Sequence, residues 1–395
     1  MKVIQINSVY GYGSTGKIVK AIHQNNLENG IDSYVIYGRI SAYGHQKRQA
    51  IIDDRVFYFN DLVGQDLHVL KALIFDKHGL YSENNTKKIL RKIDEIQPDI
   101  IHLHNIHGFY INYEMLFKYI RQHQIKVVWT LHDCWSFTGY CSHYEFNGCN
   151  EWKSGCKTCK FKNVYPYRIL SNSANNYVRK MKSFDYENIV FVTPSNWLKK
   201  QLSESFLRSH TCFVIHNNVD VTHFKYNLNN NLRSMYGIGD RKVLLGVASP
   251  FSKQKGFDEF IKLSKLVNDS YRIVLIGVNK KQQENLPSNM IGILRTDSQD
   301  ELAQWYSLAD YFLNLTLEDT YPTVNLEAMA CGTPVITYRT GGSTEIVEGY
   351  GTVVDQYDLK GLMVAIEKDT EDRKQLIFDN DMCGDYLKLY RQIVN

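Results

Sequence analysis

Short apolar runs alternate with amphipathic stretches along the whole chain, and this alternation constrains the fold more than any single motif. KVIQIN, DSYVIYG, DIIHLHN, KVVWTLHD, NIVFVTPS and CFVIHNNVD form a first series; KVLLGVAS, YRIVLIGV, MIGILRT, YFLNLT and PVITY form a second. Helical stretches such as KIVKAIHQNNLENG and GFDEFIKLSKLVN fall between them. Strand-helix alternation predicts βαβ units and parallel sheets. VVWTL and IVFVT are almost continuously apolar, as expected of strands covered on both faces. Two series in tandem predict an α/β protein of two doubly wound, Rossmann-like domains facing across a cleft, with ligands at the carboxyl ends of the strands. The seam falls in the polar, Asn-rich stretch NVDVTHFKYNLNNNLRSMYG, giving domains of 1–216 and 217–376 and a tail of 377–395.

The 395 residues suffice for two full cores. An apolar share of 44% with 22% charged residues is that of a soluble globular protein. A net charge of +4 is too small to point to nucleic acid and leaves contact with an anionic membrane surface open. No run approaches the roughly 18 apolar residues of a spanning helix, and the N-terminus has no secretory apolar region. These features predict a cytoplasmic protein. NWLKKQLSESFLRSH sets Trp197, Leu198, Leu202 and Phe206 beside Lys199 and Lys200. It suits a peripheral contact with anionic lipid, although an ordinary amphipathic surface helix is the favoured reading.

The first strand leads into GYGSTGKIV, which has the Gly-x-x-x-x-Gly-Lys spacing of an ATPase phosphate loop. Such a loop needs Ser or Thr after the lysine to ligate Mg²⁺, and here Ile18 follows Lys17. The ATPase reading is therefore set aside. A tight βα turn without a ligand is one alternative. The favoured one lets Gly11, Gly13 and Gly16 bring backbone close to a ligand, with the helix N-terminus favouring negative charge.

The sharper signal is LEDTYPTVNLEAMACGTPVITYRTGGSTEIV, from Leu317 to Val347. A loop after YFLNLT enters the helix VNLEAMA, whose first N–H groups, near Thr323 and Val324, suit phosphate or sugar hydroxyls. Glu327 lies about two helical turns beyond Asp319, placed to accept hydrogen bonds from a ribose diol. A buried helix with a capping acid and a solvent-facing Glu is the rival reading.

This stretch resembles the donor-binding motif of retaining GT-B glycosyltransferases of family GT4, in which two acids separated by seven residues precede Ala-Met-Ala-x-Gly-x-Pro-Val. Asp319 and Glu327 hold that spacing before AMACGTPVI. The family has Glu at the first position; here Asp319 stands there beside Glu318, leaving open which of them reaches the donor sugar. SKQKGFDEF resembles the family's phosphate-binding segment and implies Lys255 as its cation. Pro250 occupies the place of the family's arginine, with Lys253 offered as a second positive charge. VIHNNVDVTHF resembles the segment opening the second domain, with Asn218 for a glycine, and CGDYLKLYRQIVN the final helix crossing back to the first.

In TLHD, the resemblance implies His132 near the transferred sugar, with Asp133 beside it. HLHNIHG places His102 and His104 on one strand face and His107 in the next loop. A metal reading of these histidines is disfavoured, because no carboxylate is grouped with them and the family resembles metal-independent catalysts. Gly11, Asn105, His107 and Asp133 are expected on the acceptor side. Gly13, Gly16, Lys253, Lys255, Thr323, Val324, Glu327, Gly341 and Gly342 are expected on the donor side, with His132, Glu318, Asp319 and Lys255 carrying catalysis.

What the resemblance implies is transfer of a sugar from a UDP- or GDP-sugar, with retention and without a catalytic cofactor. The implied acceptor is a saccharide, lipid-linked, in bacterial cell-surface polysaccharide synthesis. A sugar-nucleotide epimerase or phosphorylase on the same fold, and a non-catalytic sugar-nucleotide-binding subunit, are the alternatives.

An insertion at about 134–160 carries Cys141, Cys149, Cys156 and Cys159, with Cys134 just upstream. Four cysteines ending in C-x-x-C fit a tetrahedral structural Zn²⁺ site. Free thiols and disulfides are the rival readings. A similar insertion occurs in bacterial polysaccharide enzymes related to those of colanic acid.

Overall fold

A computed structural model describes residues 1–40, 50–60, 62–157, 159, 161, 165–227, 231–368 and 381–394. The chain forms two compact units, Met1–His216 with Asp381–Asn395, and Asn217–Asn380. The expected boundary at 376/377 lies outside the described residues.

The first unit holds seven parallel strands: β1 (Lys2–Asn7), β2 (Asp32–Tyr37), β3 (Val56–Tyr58), β4 (Ile100–Leu103), β5 (Lys126–Thr130), β6 (Ile189–Thr193) and β7 (Cys212–Val214). Their spatial order is β3-β2-β1-β4-β5-β6-β7. The order reverses between β1 and β4, whose register sets Val3 against Ile100 and Ile6 against Leu103. In an open parallel sheet this reversal leaves a crevice at the carboxyl ends of the two strands, where ligands bind.

Successive residues of β1 face opposite sides of the sheet. Ile4 and Ile6 join the core formed with Ile89, Ile93, Leu116 and Phe117. Val3 joins Ile18 and Ile22 of the helix Gly13–Glu28 and Tyr386 and Tyr390 of the helix Met382–Val394. The C-terminal helix is thus part of the first unit's core. Trp129, 1% exposed, anchors the other face. Its ring lies 5.5 Å from that of Phe117, 4.7 Å from Phe184 and 5.6 Å from Phe191.

The second unit holds six parallel strands: β8 (Lys242–Val247), β9 (Tyr271–Ile276), β10 (Met290–Ile293), β11 (Tyr311–Asn314), β12 (Val335–Tyr338) and β13 (Thr352–Val354). Their order is β10-β9-β8-β11-β12-β13, with the reversal between β8 and β11. Both sheets have the doubly wound α/β arrangement that the alternating pattern predicts. Of the three-residue edge strands, β3 and β13 are additions to that reading, whereas β7 lies in the run CFVIHNNVD.

Candidate functional site

The crevice of the second unit gathers much of the expected donor-side set. The loop after β8 and the loop after β11 are clasped together: Leu317 donates its backbone N–H to the Gln254 carbonyl at 2.7 Å. Gly256 makes the approach possible. Its φ is +78°, and a Cβ there would stand 2.2 Å from the Leu315 carbonyl oxygen, so no side chain is accommodated. Lys255, held by this clasp, places Nζ 2.7 Å from Asp319 Oδ2, and Asp319 Oδ1 accepts the Tyr321 N–H. Of the two adjacent acids, Asp319 therefore meets the cation, while Glu318 is buried at 8% exposure. Lys253 is not drawn into this pair. Its side chain is 75% exposed, and its nearest carboxylate is Asp258 at 3.9 Å.

The helix Thr323–Ala330 begins directly after this loop, and its N-cap, Pro322, offers no side-chain cap. The N-terminal N–H groups near Thr323 and Val324 are not satisfied by a capping side chain, which leaves a positive helix end four residues after Asp319, the partner of Lys255. Glu327 is held one turn on by the Tyr306 hydroxyl, which donates to Oε2 at 3.0 Å. Burial, and then the Glu327 carboxylate, push the Tyr306 phenol well above its ordinary value, so it remains the donor. Asn314 at the end of β11 donates to Asn325 Oδ1 at 2.7 Å and fixes the helix to the strand. Gly341 and Gly342 lie in the turn between β12 and the short helix Ser343–Val347. Tyr306 had no signal in the sequence beyond an apolar helical pattern.

In the first unit, β1 ends in the glycine turn. Gly11 donates its N–H to the Gly16 carbonyl at 2.9 Å, and its φ of +76° needs glycine. The helix Gly13–Glu28 follows, with Tyr12 as an N-cap that makes no side-chain cap bond, and Lys17 is exposed on it. Asn7 joins the two crevice loops: its side chain donates to the Val9 carbonyl at 2.7 Å and accepts the Asn105 N–H at 3.1 Å.

Beyond β4 and β5 a small cavity is lined by His104, Asn105, His107, Thr130, His132, Asp133 and Ser136 among others. His107 Nε2 lies 2.8 Å from Asp133 Oδ2, and Asp133 Oδ1 accepts the Trp135 N–H at 2.9 Å. A carboxylate is thus grouped with a histidine here, contrary to the reading of the linear sequence, in which Asp133 belonged to a different strand end. Burial works to raise the Asp133 carboxyl, but His107 and the Trp135 N–H outweigh it and hold the group at about 2. His107 Nδ1 and Ser136 Oγ are buried without a hydrogen-bond partner. A buried polar atom of this kind can be satisfied by a water or by a ligand hydroxyl.

His132 Nε2 lies 3.0 Å from His104 Nδ1, and burial pulls the His132 imidazole down to about 4 against the neighbouring Asp133. His132 is therefore neutral across the physiological range and acts as a hydrogen-bonding group, not a cation. His102 is a core residue instead, bonded to Tyr390 at 2.6 Å and Thr130 at 2.8 Å.

The insertion has an aromatic core of its own: the Trp152 ring, 1% exposed, stacks on Tyr144 at 4.9 Å and meets Phe137 at 5.2 Å. Cys141, Cys149, Cys156 and Cys159 are close enough to act on one another electrostatically, and all are free thiols. Cys156 Sγ accepts the Gly139 N–H at 3.1 Å. Among the described residues no three or more His, Cys, Asp or Glu side chains are grouped as metal ligands; Thr158 and Lys160, beside Cys159, lie outside those residues. The helix proposed for lipid contact, Asn196–Ser203, buries Leu198 and Leu202 completely or nearly so. Its apolar face serves the core; the apolar side chains exposed elsewhere among the described residues include Val63, Leu67, Leu70 and Phe75 of the helix Leu62–Phe75. Among the described residues no helix is long and apolar enough to cross a membrane.

Comparison with known proteins agrees with this arrangement. The family described as Glycosyltransferase Family 4 matches residues 28–223, and that described as Glycosyl transferases group 1 matches residues 229–379. A colanic acid biosynthesis glycosyl transferase named WcaC, from Escherichia coli (strain K12), is 21% identical over 89% of this chain and 86% of its own. An uncharacterized 42.6 kDa protein in the cps region of Klebsiella pneumoniae is 23% identical over 99% of this chain and 100% of its own. Sucrose-phosphate synthase from Thermosynechococcus elongatus has the same fold, with a TM-score of 0.68 at 14% identity, covering 99% of this chain and 98% of that one. Anabaena HepE in complex with UDP-glucose has a TM-score of 0.60 at 14% identity, covering 100% and 96%. With both sheets, both crevices and both family matches in agreement, the chain is a glycosyltransferase of family GT4 with the GT-B fold.

Proposed function

We propose that the protein transfers a sugar from a nucleoside-diphosphate sugar to a saccharide acceptor, lipid-linked, in the synthesis of a cell-surface polysaccharide, with retention at the anomeric carbon. One observation carries the donor assignment: Lys255, its partner Asp319, the uncapped start of the helix at Thr323 and the tethered Glu327 converge at the crevice of the second unit. That set matches a pyrophosphate beside a ribose. Lys255 and the Thr323 and Val324 N–H groups take the phosphates, and Glu327 accepts from the ribose hydroxyls. Asp319 is placed to accept from a sugar hydroxyl once phosphate competes for Lys255. UDP is the favoured nucleotide, because the HepE structures hold UDP and UDP-glucose on the same fold.

In the first unit, the orphaned His107 Nδ1 and Ser136 Oγ and the neutral His132 offer hydrogen-bonding groups to hydroxyls. The bond from the anomeric carbon to the departing phosphate oxygen breaks while the acceptor oxygen bonds on the same face. The acceptor's proton passes to that phosphate, so no protein nucleophile and no cofactor are needed. Pro250 in place of the family's arginine, with Lys253 turned to solvent, favours a second reading, a subunit that binds the donor without transferring it. A thermal-shift panel of UDP, GDP, ADP and their sugars tests the donor reading. At a ligand concentration a hundredfold above Kd, the matching nucleotide should add about 2.7 kcal/mol of stability. A panel with no selective stabilisation contradicts it, and detectable sugar transfer removes the non-catalytic alternative.

Zinc held by Cys141, Cys149, Cys156 and Cys159 is a separate proposal, and it requires the four thiols to draw together from an arrangement in which, among the described residues, no three of them are grouped as ligands. Metal analysis of protein purified without added zinc is expected to give one ion per chain. A stoichiometry near zero removes the metal and leaves the aromatic core around Trp152 as what orders the insertion.

A further inference from the structure

Gln5 sits in the middle of β1, fully buried, at a position where the strand pattern calls for an apolar side chain. Burying an amide there is costly unless each end is bonded. Both ends are. Gln5 Nε2 donates to the Val19 carbonyl at 3.2 Å, and Gln5 Oε1 lies 3.1 Å from His104 Nε2. A carbonyl only accepts, so Val19 dictates which end of the amide carries the NH₂ group. The other end is then an acceptor, and His104 must carry its proton on Nε2. That leaves His104 Nδ1 bare, to accept from His132 Nε2, 3.0 Å away.

We infer that Gln5 and His104 are positioning residues that fix His132 as its Nε2–H tautomer, through a chain from the Val19 carbonyl to the cavity. Neither residue needs to touch substrate. Because neutral His132 donates through Nε2, its Nδ1 is an acceptor, suited to a sugar hydroxyl. This last point rests on the reading of the cavity as a hydroxyl-binding site; the tautomer itself does not. The two rings lie nearly parallel at 5.3 Å; His104 is buried and His132 partly so, and the loss of water around them pulls both imidazoles down and keeps them neutral. A chain of this kind is set entirely by which atoms can donate, so one substitution at its far end should reset the near end.

The test uses the full-length protein labelled with ¹⁵N-histidine, with His132 assigned from the spectrum of His132→Gln. Wild-type His132 is expected to show the Nε2–H pattern. Gln5→Met keeps the length of the side chain but removes the acceptor, freeing His104 to carry its proton on Nδ1 and donate to His132. His132 should then become a mixture of tautomers or the Nδ1–H form. Gln5→Glu, buried as the neutral acid with its O–H donating to the Val19 carbonyl, keeps an acceptor oxygen toward His104 and should restore the wild-type pattern. In transfer assays Gln5→Met should lower kcat roughly tenfold with unchanged UDP affinity, and Gln5→Glu should recover most of it. An Nδ1–H wild-type His132, or a His132 unmoved by Gln5→Met, overturns the inference. The expected tautomers in a protein that neither binds nor transfers sugar nucleotides would uphold the chain and defeat the proposed function instead.

Discussion

Lys255→Ala is expected to lower kcat/KM for sugar transfer by about 100- to 1000-fold, the loss typical of removing one group aimed at charge that develops in a transition state. In the proposed reaction that charge appears on the departing diphosphate, and Lys255 is the cation that the two clasped crevice loops deliver to it. The pair with Asp319 is partly solvent-exposed, with the lysine side chain 37% accessible, so it adds little to folding. The loss should therefore appear in activity and donor affinity, with the thermal midpoint of the unliganded protein within about 2 °C of wild type. Lys255→Arg should fall between, because it keeps the charge and changes its shape. Lys253→Ala is the control and should stay within a few-fold. Wild-type activity in Lys255→Ala would remove the lysine from the mechanism.

Asp76→Ala is expected to cost about 3–5 kcal/mol, because it strips the partner from a buried cation. Arg168 and Asp76 form an ion pair in which the two side chains are 1% and 2% exposed. The guanidinium also donates to Ser173 Oγ and the Phe161 carbonyl, each at 3.1 Å, and lies 3.5 Å over the Tyr140 ring. Asp76 Oδ2 accepts the Asn172 N–H at 2.8 Å as well. The pair thus fastens the chain leaving the insertion to the end of the helix Leu62–Phe75, where Ile169 and Leu170 donate to the carbonyls of Leu73 and Ile74. The midpoint should drop on the order of 10 °C. Replacing both partners, as Asp76→Leu with Arg168→Met, should recover part of the loss, since a buried pair is weak against apolar isosteres. A midpoint within 2 °C of wild type in the single variant would show that Arg168 is compensated elsewhere.

The architecture was legible because β1, β5, β6, β8 and β9 are apolar runs long enough to carry a pattern. The strands β3 and β13 were not; three residues at a sheet edge carry little periodicity, although the equally short β7 was read from CFVIHNNVD. On the donor side, the family resemblance implied Lys255, Asp319 and Glu327, but a motif cannot separate Glu318 from Asp319; the direction of two adjacent side chains is a matter of the loop, and it is Asp319 that turns to the lysine. Lys253 looked like a second cation in one dimension and faces solvent in three. Partners distant in sequence were invisible. Asp133 bonds His107 from another strand's end, Tyr306 holds Glu327 from a different helix, and Gln5 reads as a polar interruption of an apolar strand. The amphipathic stretch around Leu198 shows the converse: its pattern was real, but the apolar face was spent on the core.

The most direct test of the account is a crystal structure with an intact UDP-sugar bound. The account predicts the β-phosphate within hydrogen-bond reach of Lys255 Nζ and of the N–H groups of Thr323 and Val324, with the ribose hydroxyls on Glu327. A pyrophosphate bound away from Lys255 and that helix start would contradict it.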